Sequence, residues 1–99
     1  FRRAYKKGKS AASPSIAVYA YENRKRINRL GITVSTKIGK AVHRNKIRRR
    51  FREIYRLNEN SIKKGYHIVI VARQRSRTAE YRELEAEFLK NAARLGILE

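Results

Sequence analysis

Lys40-Ala41-Val42-His43-Arg44-Asn45-Lys46-Ile47-Arg48-Arg49-Arg50-Phe51-Arg52 holds seven cations and no anion. Apolar side chains nevertheless recur through and beyond it: Ile47, Phe51, Ile54 and Tyr55 stand at i, i+4, i+7 and i+8. That is the spacing of one face of an α-helix, so it predicts a helix near residues 42–58 with one side buried. The charge on the other side points to a polyanion.

With Arg44 set at zero and 100° per residue, the apolar stripe spans about 280° to 20°. Arg48, Arg52, Asn45, Arg56 and Arg49 fall between about 40° and 140°. Glu53, Lys46 and Arg50 lie further round. The cations therefore sit beside the buried stripe, where the helix meets a sheet, and not opposite it. Arg44, Arg48 and Arg52 are successive like-charge i, i+4 neighbours, each pair costing roughly 0.2–0.5 kcal/mol. The first turn also carries cations where the helix dipole favours anions. A solvated charge face would mix its signs. A phosphate backbone would reverse both penalties, because free N–H groups at a helix start and planar guanidinium groups both bind phosphate oxygens.

Working outward, Ser15 to Tyr21 alternates: Ile16, Val18 and Ala20 to one side, Ala17, Tyr19 and Tyr21 to the other. Leu30 to Ser35 alternates again, with Leu30, Ile32 and Val34 inward. Two half-buried strands joined by the polar segment 22–29 predict an antiparallel hairpin. Lys37-Ile38-Gly39-Lys40 reads as a turn into the helix, and Asn58 to Gly65 as a loop. Tyr66-His67-Ile68-Val69-Ile70-Val71-Ala72 is apolar on both faces, so it is expected to be a central strand covered on both sides. Arg73 to Arg77 reads as a basic turn, and Thr78 as the N-cap of a last helix with Glu80 and Glu83 at its positive end. Tyr81, Leu84, Phe88, Ala92 and Leu95 form that helix's stripe, and Gly96 follows it. At the other end, Phe1 and Tyr5 form an i, i+4 pair that ends a helix, with Gly8 as its C′ residue. Ser10 to Pro14 is small and breaker-rich and reads as a loop, with room for a short strand near residues 7–10. The order is α-β-β-α-β-α, or α-β-β-β-α-β-α with that strand: an α+β, two-layer domain.

The 99 residues make a single domain, 1–99, with 41% hydrophobic residues to build one modest core. The net charge of +18 lies mostly in the first 56 residues, which hold 18 Lys/Arg against 2 Glu. Nucleic acid is the partner this implies. A membrane surface fits poorly, because the basic helix is needed for the core. No apolar run approaches the roughly 18 residues needed to span a bilayer, and no secretory signal is present. The absence of cysteine fits a cytoplasmic setting and excludes disulfides and thiolate metal sites. The chain begins at Phe1 and not at Met, so preceding residues are expected. There is no Asp, and the two His residues are far apart in sequence. A two-metal nuclease needs converging carboxylates, and acid–base cleavage wants paired His or a His–carboxylate set. Neither pattern is found, so catalysis is expected to lie outside this chain.

Val34-Ser35-Thr36-Lys37-Ile38-Gly39-Lys40-Ala41-Val42-His43-Arg44-Asn45-Lys46-Ile47-Arg48-Arg49 is similar to the signature of the bacterial ribonuclease P protein subunit. There an Arg-Asn-Arg/Lys triplet opens a basic helix after a Lys-x-Gly-x-Ala-Val turn. The likeness covers nearly the whole chain: Phe1 and Tyr5 before Gly8 resemble the family's first aromatic helix. Tyr19 matches an aromatic on a strand, and Ile68 to Arg73 resembles the last strand with its following Arg. Lys46 stands where many relatives have Arg, Thr36 where Lys is common, and Phe51 where an aliphatic is usual. The resemblance implies a mixed four-stranded sheet packed with helices, a left-handed β-α-β crossover, and a fold shared with a ribosomal-protein domain. Sequence reasoning alone would have assigned the crossover the common right hand. The resemblance also implies a protein subunit, one per RNA, that binds a catalytic ribonuclease P RNA and the 5′ leader of precursor tRNA. Magnesium ions are expected at the RNA active site, and no cofactor or metal is expected on the protein alone.

On this footing Arg44, Asn45, Lys46, Arg48, Arg49 and Arg52 are the candidates for the catalytic RNA, through phosphate contacts that give affinity more than base specificity. Lys40, Arg56 and Arg73 are further candidates; Arg73 equally suits capping a strand end. A single-stranded leader wants aromatic platforms in a basic groove. Phe1, Tyr5 and Tyr19 suit that role, with Ser35 and Lys37 at its rim, although Phe1 and Tyr5 equally suit packing on the sheet. Tyr21 reads as rim packing, His43 as exposed filler and His67 as a satisfied core residue. A ribosomal protein that binds folded RNA and an autonomous nuclease are the rival readings.

Overall fold

The computed structural model describes residues 8–99. The N-terminal helix expected around Phe1 and Tyr5 lies outside them. The described chain runs β1 (Lys9–Ala12), β2 (Ile16–Glu22), β3 (Arg29–Thr33), α1 (Ala41–Asn58), β4 (Tyr66–Ala72) and α2 (Tyr81–Arg94), with short 3-10 turns between. It is an α+β fold with a mixed four-stranded sheet and two helices on one of its faces.

The strands form in the order β1-β2-β4-β3. β2 and β3 are not paired, which corrects the expected hairpin. β4 lies between them, antiparallel to β2 and parallel to β3. The reason is the composition of β4. Ile68, Val69 and Ile70 are all essentially inaccessible to solvent, and a strand apolar on both faces is best covered in the middle of a sheet, with a neighbour on each edge to pair its backbone. The segment after Glu22 therefore crosses the start of β4 instead of turning back on β2. β1 extends to Ala12, so part of the expected loop at Ser10–Pro14 is strand, held by Ala11 opposite Val18.

Alternation along the strands divides the sheet as read. Ile16, Val18, Ala20, Ile68, Ile70 and Ala72 face the helices and join one core with Ile47, Phe51, Ile54 and Tyr55 of α1. Leu84, Phe88 and Ala92 of α2 complete it, and Tyr55 meets Phe88 edge-on at 6.4 Å between ring centroids. Tyr81, expected in that stripe, is only half-buried. α2 ends as expected on Gly96, at φ 74°, where the N–H groups of Gly96 and Ile97 donate to Ala93 and Ala92 carbonyls. This is the paired closure of a Schellman motif. Its start differs from the expectation: Glu80 is the N-cap, without a side-chain bond. The Thr78 hydroxyl instead donates to the Arg75 carbonyl, a local bond that competes with capping.

A buried polar clasp ties α2 to the β1–β2 turn. Glu87 Oε1 accepts from the Ser13 hydroxyl and, at 2.8 Å, from the Ser15 N–H. Asn91 Nδ2 donates to Ser13 Oγ at 3.1 Å. Burial pushes the Glu87 carboxyl up, but these hydrogen bonds outweigh it and hold its pKa below the ordinary value. A lowered folded-state pKa stabilises the fold above the unfolded pKa, and that contribution is lost as pH falls through the folded value. Glu87→Gln should therefore be less stable than the parent at neutral pH. The gap should close on acidification below about pH 4, near the unfolded carboxyl pKa. Urea melts at a series of pH values measure this, and a pH-independent gap would remove Glu87 from acid sensitivity.

Candidate nucleic-acid interface

α1 is built as its wheel implies: Ile47, Phe51, Ile54 and Tyr55 are buried, and Asn45, Lys46, Arg49, Arg52 and Arg56 are exposed. Its first turn contains no acidic residue, and Lys40, the N-cap, makes no side-chain cap bond. Gly39 makes the turn into α1 possible. Its φ of 156° with ψ of −163° is a conformation open essentially to glycine. A Cβ there would lie 3.4 Å from Arg77 Nη1. Arg77 thus stands against the helix start, a cation that the linear pattern did not single out because the approach joins residues far apart in the chain.

The cations of α1 have almost no internal partners. Among the described residues the one ion pair is Arg75–Glu83, at 3.3 Å on the surface. Arg48 Nη1 donates to Asn45 Oδ1 at 3.1 Å, which orients two of the candidate residues together. Arg44 is half-buried, and its Nε has no acceptor. Arg50 is different: its Nη1 reaches the Ala79 carbonyl at 3.4 Å and ties α1 to the segment before α2. Arg49, Arg52 and Arg56, with Glu53 and Glu59 among them, wall a groove of about 540 Å³ that Asn28 and Leu30 close from the β3 side. The basic flank therefore runs along the edge of the sheet.

The remaining candidates separate. Ser35 Oγ accepts the Lys37 N–H at 3.2 Å and caps the 3-10 turn Thr36–Ile38; both residues are exposed just past β3. Arg73 clasps the β1–β2 turn, with its N–H on the Ser15 carbonyl at 2.8 Å and Nη1 on the Ser13 carbonyl at 3.1 Å. That gives it a strand-end role. Phe1 and Tyr5 lie outside the described residues.

Tyr19 belongs to the sheet face turned away from α1 and α2. It is half-buried and stands in a row with Ser10, Val69 and Gly31. The row beside it on one side is Ala12, Ala17, Val71 and Thr33; on the other it is Tyr21, His67 and Arg29. Most of these side chains are small; Ala17, Gly31 and Val69 at the centre of this floor are buried, and Tyr19, Tyr21 and His67 are half-buried. Tyr21 is more than rim packing: its hydroxyl is hydrogen-bonded to His67 Nδ1 at 3.2 Å, and their ring centroids are 5.3 Å apart. His67 lies on this outer face, only half-buried, and not in the core. Burial first, and nearby positive charge including Arg29, lower its pKa from the ordinary imidazole value.

No three His or Glu side chains cluster to hold a metal ion among the described residues. No helix among them is long and apolar enough to cross a membrane.

A family model for ribonuclease P matches residues 1–96. The chain is 41% identical over 98 residues to a ribonuclease P protein component of Clostridium botulinum, covering 98% of this chain and 88% of that protein. It is also 41% identical over 98 residues to that of Alkaliphilus oremlandii, covering 99% and 86%. The structure of the Staphylococcus aureus RNase P protein superposes with a TM-score of 0.90 at 33% identity, over 100% of this chain and 91% of the other. The Thermotoga maritima RNase P protein gives 0.84 at 34% identity, over 91% and 86%. Signature helix, sheet order and whole-length similarity agree, and the chain belongs to the ribonuclease P protein family.

Proposed function

We propose that this chain is the RNA-binding, non-catalytic subunit of a ribonuclease P that releases the mature 5′ end of tRNA. In this reading α1 binds the catalytic RNA through Arg44, Asn45, Lys46, Arg48, Arg49 and Arg52. The outer sheet face with Tyr19 takes the single-stranded leader of precursor tRNA. The observation that carries the reading is α1 itself: one side completes the core while the adjoining flank presents cations with no ion-pair partners among the described residues. Phosphates supply the missing counter-charge. The cleavage chemistry and its magnesium ions belong to the RNA; this chain's side chains hold and orient the two RNAs.

Precursor tRNA cleavage by the cognate RNA at low magnesium should be faster with the protein than without it. No gain would overturn the proposal, and cleavage by the protein alone would make it an autonomous nuclease instead.

Five cations of α1 on phosphates imply that affinity for the catalytic RNA falls roughly five-hundredfold between 50 and 200 mM salt. Arg52 is exposed and flanked by like charges at Arg48 and Arg56. Arg52→Ala should lower the log–log salt slope by about one, while the free protein becomes more stable by a few tenths of a kcal/mol. Filter binding across a salt series together with denaturant melts reads both. A destabilised variant with an unchanged slope would assign Arg52 to the scaffold.

Tyr19→Ala should weaken binding of precursor tRNA that carries a leader about tenfold, within the range for one base stacked on a ring. Mature tRNA should bind as before. Equal losses for the two substrates would return Tyr19 to packing.

A further inference from the structure

The row after Tyr19 is built differently from the floor around it. Tyr21, His67 and Arg29 stand side by side on three adjacent strands. The first two form a hydrogen-bonded ring pair. They open into a groove of about 600 Å³ whose far wall carries Arg24 and Lys25. None of these three cations has an ion pair among the described residues.

The loop that carries Arg24 and Lys25 is fixed in place. Asn23 Oδ1 accepts the Lys25 N–H at 2.8 Å, and Asn23 Nδ2 donates to the Ile27 carbonyl at 3.1 Å. The Asn23 N–H donates to the Gly65 carbonyl at 2.9 Å, pinning the loop to the segment before β4. Gly65 has φ 94°, and a Cβ there would lie 2.8 Å from the Lys25 carbonyl oxygen, so the two loops approach as closely as only glycine allows. Arg24 itself sits at φ 60°, in the left-handed region. The cations are thus held beside the rings at the end of the sheet opposite Arg44, Asn45 and Lys46, because β3 runs from Arg29 toward the start of α1.

A ring pair beside clustered cations is the composition of a single-strand platform: faces for bases, charges for the backbone. Tyr21 follows Tyr19 on the same face of β2, about 6.8 Å along the strand, on the scale of one step of an extended nucleotide chain. We infer that Tyr21, His67, Arg29, Arg24 and Lys25 form a second station for the same RNA strand that crosses Tyr19, binding leader nucleotides further from the cleavage site. This rests on the leader reading of the Tyr19 floor and extends its footprint. Tyr21 and His67 supply the stacking surface; Arg29, Arg24 and Lys25 hold the phosphates beyond it. Glu22, in the same wall, disfavours phosphate at its own position and keeps the backbone toward the Arg24 and Lys25 side.

The test uses the complex of full-length protein with its cognate RNA and precursor tRNAs whose leaders lengthen one nucleotide at a time. Affinity should keep rising beyond the leader length at which Tyr19→Ala has its full effect. The double variant R24N/K25Q, in which Asn tolerates the left-handed position, should cancel only that later rise. It should lose about tenfold in affinity for long leaders, the effect of about one net charged hydrogen bond. Its salt slope for long leaders should fall by about 1.4, as for two single-strand phosphate contacts. Short-leader precursor, mature tRNA and the catalytic RNA should bind the variant as they bind the parent. A leader gain that stops at the Tyr19 length, with the double variant indistinguishable from the parent, overturns this station and leaves the Tyr19 reading standing. An equal loss for mature tRNA or for the catalytic RNA overturns it in favour of a folded-RNA contact. Leader deletion and Tyr19→Ala without effect would show instead that the underlying leader reading had failed.

Discussion

Everything in this fold depends on one helix being needed twice. Ile47, Phe51, Ile54 and Tyr55 of α1 fill the core against β2 and β4, and each buried large side chain contributes about 1.5–3 kcal/mol. α1 therefore cannot rotate without exposing them. The cations at the neighbouring angles are thereby held along the β3 edge, where Arg49, Arg52 and Arg56 are exposed and line an open groove. Rigid placement of this kind would keep the proposed phosphate contacts in register, because guanidinium forks bind well only in a narrow range of geometries. The hydrophobic stripe thus fixes where the charges stand.

The same constraint explains how a chain of net charge +18 can hold a core at all. The Glu side chains with structural roles cluster on α2, where Glu87 clasps the β1–β2 turn and Glu85 accepts from Asn58. They stabilise the helix-to-sheet and helix-to-helix seams and leave the α1 cations unneutralised. Counter-charge for the flank must come from outside. In the proposed reading, a bound RNA would add stability by mass action on top of the contacts themselves. Arg50 and Arg73 show the contrast: each spends hydrogen-bonding capacity on a backbone carbonyl of a neighbouring segment and so acts within the fold.

The elements were legible in the sequence because their periods are local. The stripe of α1, the alternation of β2 and β3, and the two-sided apolar run of β4 all appear as strands and helices close to the expected bounds. Strand pairing was less legible, because hydrogen bonding between strands is not written in any one of them. The expected β2–β3 hairpin conflicts with a signal in the sequence itself: Tyr66–Ala72 reads as a central strand, and a central strand needs two neighbours. Thr78 failed as a cap because its hydroxyl bonds backward within its own turn. At the candidate interface, charge and angle identified the α1 flank. Composition could not separate Arg50 from Arg49, since the difference lies in whether a carbonyl from Ala79 is within reach. The Tyr21–His67 pair was missed because it joins residues 46 positions apart.

β3 is where the two surfaces meet. Its residues alternate between them: Leu30 and Ile32 pack toward α1, while Arg29, Gly31 and Thr33 belong to the outer floor. As an edge strand it has one unpaired side, and in many proteins such an edge invites another chain. Here Arg49, Arg52 and Arg56 of α1 stand across a groove from Leu30, with Glu53 and Glu59 among them, and Arg29 adds charge at the strand's start. Net positive charge along this edge disfavours pairing with a second, equally basic copy of this chain. The two surfaces proposed to meet RNA therefore share a single strand, with the core on one side of it and the ring-bearing floor on the other. A bound polyanion on the flank and a single strand on the floor would be separated by little more than the thickness of the sheet. That proximity follows from placing β3 beside β4 in parallel, the pairing that also carries α1 across the inner face.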